Sequence, residues 1–103
     1  MSLSTHVLDV AVGKPAVGVP VRLHRLVGDE WMPVADGITN ADGRLRDWVP
    51  GSHWGSGRYR LVFETGGAFF PEVVVVFDVL EPDRPCHVPL LLSPYGYTTY
   101  RGT

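Results

Sequence analysis

The chain has 103 residues, with nine basic and eleven acidic side chains and a formal net charge of −2. Its arginines are scattered and no basic run exceeds two residues, which argues against nucleic-acid binding. A hydrophobic content of 45% can supply one core, so a single domain over residues 1–103 is expected. A core this small leaves little room for a deep pocket in one subunit. A sizeable ligand site is therefore expected in a surface cleft or at a subunit interface. The single cysteine, Cys86, excludes an internal disulfide framework and fits a reducing compartment. The start, Met1-Ser2-Leu3-Ser4-Thr5-His6, shows neither a charged nor an apolar signal region. Apolar stretches fall far short of a membrane span. A cytoplasmic location with no membrane partner is expected.

In chain order, nearly every segment reads as strand plus turn. Residues 5–12 form a first strand whose faces are Thr5/Val7/Asp9 and His6/Leu8/Val10. Gly13-Lys14-Pro15 punctuates it. Residues 19–27 alternate Val19, Val21 and Leu23 against Pro20, Arg22 and His24. Gly28-Asp29 is a turn, and residues 31–35 are a short strand. Residues 39–43 hold the hairpin signal Asp42-Gly43, and residues 44–49 follow as another strand. A loop over 51–57 precedes the alternating strand 58–64. Residues 72–80 are rich in β-branched side chains. Residues 86–92 and 97–101 complete about eight strands, with turn signals about every 8–12 residues, the spacing of an all-β sandwich or barrel. No segment has convincing helical periodicity.

Histidine is the side chain best suited to exchanging protons near neutral pH. His6 lies mid-strand on the face of Leu8 and Val10, and His87 opens a strand whose face continues through Pro89 and Leu91. A lone strand histidine is more often satisfied by a backbone partner, and sequence spacing cannot bring two of them together. If they share one cleft, one imidazole can take a proton from water and the other can give one to a leaving nitrogen. His24 shares a face with Arg22, and His53 sits in a Gly/Ser loop without an assigned role. Arg44, after the Asp-Gly turn, and Arg101, near the chain end, can each hold a planar oxyanion bidentately. Arg46 shares the expected face of Arg44 and is the alternative. Cys86 and His87 are adjacent and point to opposite strand faces, so they cannot readily form a nucleophile–base pair. No Gly-x-Ser-x-Gly elbow, phosphate loop or clustered zinc motif is present. No metal and no cofactor are called for, and water attack steered by histidines is the chemistry left.

Three motifs carry a resemblance. They are Ser4-Thr5-His6-Val7-Leu8-Asp9 with Gly13-Lys14-Pro15-Ala16, then Thr39-Asn40-Ala41-Asp42-Gly43-Arg44, then His87 through Ser93-Pro94-Tyr95-Gly96-Tyr97 to Tyr100-Arg101-Gly102-Thr103. In this order they bracket nearly the whole chain and closely resemble the transthyretin-related family, the 5-hydroxyisourate hydrolases of purine catabolism. The resemblance implies a transthyretin-like (prealbumin-like) β-sandwich of two antiparallel sheets. It implies a homotetramer with clefts at the dimer–dimer interface, and hydrolysis of 5-hydroxyisourate in urate degradation. His6 and His87 match the family's active-site histidines and Arg44 its substrate-binding arginine. Tyr100, Arg101 and Thr103 belong to its terminal tetrapeptide, with threonine in place of the usual serine. Two departures stand out: that serine, and the family's short helix before Phe69-Phe70-Pro71-Glu72, which Gly66-Gly67 replaces here. The alternative reading is a non-enzymatic transthyretin-like binding protein. True transthyretins lack the paired histidines and the Tyr-Arg-Gly terminus.

Overall fold

The first strand sets the pattern for the rest. β1 (Leu3–Asp9) buries Leu3, Thr5 and Val7 and turns Ser4 and His6 to the other face, as a period of two requires. The computed structural model describes residues 3–102; Thr103, expected at the site, lies outside the described residues. β1 ends at Asp9 rather than running to residue 12. The Asp9 carboxylate accepts the Ala11 amide at 3.0 Å, the Gly13 amide bonds back to the Asp9 carbonyl, and β2 (Lys14–Pro15) returns alongside. This local side-chain bond offers the backbone a turn in place of more strand.

β3 (Pro20–Val27) and β4 (Glu30–Ile38) form a hairpin about Gly28, with a register shift between Leu23 and His24. A tight turn over residues 40–43 then leads into β5 (Arg44–Leu45). Asn40 Oδ1 accepts the amides of Asp42 and Arg44, and the Gly43 amide bonds the Asn40 carbonyl. β5 stops after two residues, close to Asp47, which holds φ at +53°. One short 3₁₀ turn (Gly51–His53) precedes β6 (Gly57–Phe63) and β7 (Val73–Val79). The connection between them, residues 64–72, contains no helix. It folds back through a Gly66 amide to Pro71 carbonyl bond. The expected strand over 86–92 is interrupted into β8 (Cys86–His87) and β9 (Leu90–Ser93). Pro89, which has no amide to donate, lies in the gap. β10 (Gly96–Thr99) pairs antiparallel with β9. This split of the 86–92 strand and the added β2 raise the strand number from about eight to ten among the described residues.

The strands make two layers. One sheet runs β10-β9-β1-β2, with β5 and β8 also pairing β1; the other runs β4-β3-β6-β7. Most pairings are antiparallel, while β1 runs parallel to β8 and β9. The core between the sheets includes Leu3, Val7, Val21, Leu23, Tyr59, Leu61, Phe63 and Leu90, each almost wholly excluded from solvent. Burying side chains of this size contributes about 1.5–3 kcal/mol apiece. Tyr59 brings its hydroxyl inside and satisfies it on both the amide and the carbonyl of Gly55. The transthyretin-like sandwich expected from the sequence is the architecture found.

Candidate active site

The six-stranded sheet carries the candidate chemistry on its outward face. Ser4 and His6 sit two residues apart on β1 and therefore share that face. Ser4 pairs with His87 of β8 on one side, and His6 pairs with Arg44 of β5 on the other. Two histidines and an arginine, 81 and 38 positions apart from His6 in sequence, thus become neighbours across three strands. Thr5 points the opposite way. Its hydroxyl donates to the Val88 carbonyl at 2.6 Å in the core, which holds β8 in place beside β1.

Each imidazole has one nitrogen engaged. His6 Nε2 lies 2.9 Å from the Asp42 carbonyl oxygen. A carbonyl only accepts, so Nε2 carries a proton and Nδ1 is the exchangeable position. His87 Nδ1 lies 2.8 Å from Ser4 Oγ, leaving Nε2 without a partner among the described residues. Burial pushes the His87 imidazole below its ordinary value, and the Arg44 guanidinium and His6 push the same way. A hydrogen bond with the Ser4 backbone opposes them. His87 is consequently held neutral at physiological pH, with Arg44 close enough to feel its charge.

Arg44 is the arginine that the fold puts opposite His6; Arg46 lies beyond the end of β5 and is exposed. Ser4 was present in the first motif without a role. Its signal was the two-residue spacing from His6. Among the described residues no three His, Cys, Asp or Glu side chains gather as a metal cluster.

The HIUase/Transthyretin family model matches residues 3–102. The chain belongs to that family. A 5-hydroxyisourate hydrolase of Caulobacter vibrioides is 47% identical over 113 residues, covering 98% of this chain and 97% of the relative. Among solved structures, Klebsiella pneumoniae 5-hydroxyisourate hydrolase aligns at TM-score 0.84 and 35% identity, covering all of both chains. Sea bream transthyretin in complex with thyroxine aligns at 0.92 and 30%, covering 100% of this chain and 96% of its own. (S)-allantoin synthase aligns at 0.87 and 33%, covering 99% of this chain, which spans 43% of that longer one. The transthyretin backbone superposes better than the hydrolase, while its sequence is less alike. Backbone shape therefore does not separate the hydrolase from the thyroxine-bound transthyretin, and side chains must.

The terminal tetrapeptide divides. Gly102 bridges to His87, its amide donating to the His87 carbonyl at 2.8 Å. Tyr100 and Arg101 turn elsewhere within one chain. They line a cavity of about 310 Å³ with Phe77, Val79, Cys86 and Val88, at the rim between β7 and β10. Burial pushes the Cys86 thiol up, and the Arg101 guanidinium pulls against that. Cys86 and His87 do face opposite ways, as their adjacency on a strand requires. His6, His87 and Arg44 are half-buried and do not line this cavity.

Proposed function

We propose that this chain, a single unit over residues 1–103, hydrolyses 5-hydroxyisourate to 2-oxo-4-hydroxy-4-carboxy-5-ureidoimidazoline in urate degradation. The observation that carries the reading is His87 beside His6 and Arg44 on one sheet face, in a chain 47% identical to a 5-hydroxyisourate hydrolase. The product's carboxyl and ureido groups are the two halves of a cleaved cyclic amide. Water adds its oxygen to the ring carbonyl, the carbon–nitrogen bond breaks, and the nitrogen leaves with a proton.

His87, held neutral, takes the proton from the attacking water at Nε2. His6, entering the step as the imidazolium, delivers its Nδ1 proton to the leaving nitrogen and ends as the neutral ring with Nε2–H still on the Asp42 carbonyl, while His87 ends protonated. Arg44 holds and polarises the substrate oxygens with its planar fork. Positioning of this kind contributes several kcal/mol, on the order of 7–11 at its best, and a placed acid or base typically gives ~10²–10⁴-fold. The chemistry needs no cofactor.

The site works in a homotetramer. Arg101 lines a cavity that His6, His87 and Arg44 do not, so within one chain the terminal arginine and the histidines lie apart, and a second subunit would bring them to one cleft. Tyr100, Arg101 and Thr103 bind and orient substrate in that completed cleft. The half-buried single thiol suits a cytoplasmic protein.

Ultraviolet decay of freshly made 5-hydroxyisourate, with and without protein, tests the reaction. Accelerated decay that His6→Ala and His87→Ala each lower by ~10²-fold or more, with the fold intact, is the expected result. Decay at the spontaneous rate would overturn the enzyme in favour of ligand binding on the same face. Light scattering gives the assembly, and a fully active monomer would remove the shared cleft.

A further inference from the structure

We propose that Ser4 and Gly102 are positioning residues that clamp the His87 ring from two sides, fixing its Nδ1–H tautomer and presenting Nε2 as the free lone pair. This rests on the ring-opening reading for its catalytic meaning, but the clamp is a property of the folded chain alone.

Two independent contacts define it. On one side, Ser4 Oγ lies 2.8 Å from His87 Nδ1, held there because Ser4 and His87 are register partners across β1 and β8. On the other side, a Cβ added at Gly102 would stand 2.5 Å from His87 Cδ2 and 3.2 Å from its Cγ. The imidazole edge therefore rests against the bare backbone of residue 102. Any side chain there would displace the ring. The Gly102 amide also bonds the His87 carbonyl at 2.8 Å, so the surface against which the ring rests is itself tied to the same residue.

The chemistry of the partner matters as much as the contact. A hydroxyl can donate or accept, unlike the carbonyl that holds His6. If Ser4 accepts from Nδ1–H, Nε2 is the basic position. The same bond then survives when Nε2 takes a proton, because both forms of the ring carry Nδ1–H. No hydrogen bond reorganises during proton transfer. If Ser4 donated instead, Nε2 would already hold its proton and His87 could not act as base there. Alanine at position 4 would remove the choice, and the ring would revert towards the tautomer it prefers in water, with the proton on Nε2.

Long-range proton–nitrogen NMR of the imidazoles reads this directly in the whole protein without substrate. The expected result in the wild type is protonated Nδ1 and bare Nε2 for neutral His87. Ser4→Ala should shift the population towards Nε2–H and lower kcat by about 10²-fold, with KM within about twofold. Ser4→Thr, which keeps the hydroxyl, should retain both tautomer and kcat. Gly102→Ala should lower kcat by at least about tenfold while leaving the melting temperature nearly unchanged. An Nε2–H tautomer in the wild type, or full kcat in folded Ser4→Ala, would overturn the clamp. If the wild type opened no ring, the proposed reaction would fall, and the NMR comparison of wild type, Ser4→Ala and Ser4→Thr would still decide whether Ser4 sets the tautomer.

Discussion

Gly43 links the fold to the site, and replacing it should show both at once. It sits in the turn over residues 40–43 with φ at +73°, and a Cβ there would stand 2.5 Å from the Val7 carbonyl oxygen, 3.0 Å from Pro15 Cβ and 3.2 Å from the Ala16 amide. Two costs add in Gly43→Ala. The left-handed backbone alone costs about 1–2 kcal/mol for a residue with a Cβ. The close contact is with the backbone of β1 in the middle of the sheet, which cannot swing aside as a flexible side chain would. Moving the turn also loosens the Val7 amide to Gly43 carbonyl bond of 2.8 Å, and overpacking of this sort costs about 1–3 kcal/mol. The expected total is about 3–4 kcal/mol, or roughly 12–30 °C of melting temperature in a chain this size. Gly28→Ala is the control: its φ is +62° and nothing lies within 4 Å of the added Cβ. It carries the backbone cost alone, about 1–2 kcal/mol. Activity should separate the two further, because the Asp42 carbonyl that holds His6 belongs to the Gly43 turn. Calorimetric melting and the ring-opening rate of both variants, measured below their melting points, form the assay. Equal melting temperatures would refute the steric argument, and a Gly43→Ala protein with full kcat would refute the link to His6.

Other outcomes follow from the same geometry. Arg44→Lys should cut kcat/KM at least about tenfold because an ammonium cannot reproduce the planar fork, whereas Arg46→Lys should leave it unchanged; the reverse order would move the substrate contact to Arg46. His24 and His87 both lie below their ordinary value of 6.5, chiefly through burial. As pH falls through 6.5 the unfolded chain gains protons that the folded chain refuses, so stability drops, and the loss levels off once pH passes below the folded values. Urea midpoints from about pH 7.5 to about pH 5 should fall less steeply in His24→Gln than in the wild type, and parallel curves would exclude His24 from the effect. Deleting residues 100–103 should cost far more activity than melting temperature, since Tyr100 and Arg101 are exposed, while Thr103→Ser should be nearly neutral; equal losses in the deletion would mean the tail only packs.

What the sequence shows about this fold is local, and what it hides is mostly a matter of which strands meet. Alternation in Leu3, Thr5 and Val7 against Ser4 and His6 assigns faces correctly, because side-chain period follows from strand geometry alone. The Asn40–Gly43 turn is legible for the same reason: Asn, Asp and Gly each have a local mechanism for bending the chain. Nothing local says that β1 lies parallel to β8 and β9, some 83 residues away. Strand ends were also overrun where a side chain or a proline overrules β propensity, at Asp9 and at Pro89. The likeness to a known family supplied the expectation that His6 and His87 converge, which alternation could not; in the fold His6 pairs with Arg44 and Ser4 with His87.

The finer chemistry of the site depends on partners rather than on residue type. Two histidines look alike in a sequence, and either can be acid or base. In the fold one meets a carbonyl, which fixes the proton on that nitrogen, and the other a hydroxyl, which can accept or donate. Asp42 offers His6 an acceptor through its backbone, so side-chain substitution at Asp42 should leave His6 in place. Ser4 offers His87 a side chain, so substitution there reaches the chemistry. The expectation from His6 being a strand histidine, a ring satisfied by a backbone partner, and the expectation from its family motif, a proton-transfer group, are therefore compatible: the backbone bond occupies Nε2 and leaves Nδ1 for the substrate. In the proposed reaction this bland hydrogen bond is the means by which the reactive nitrogen would be chosen.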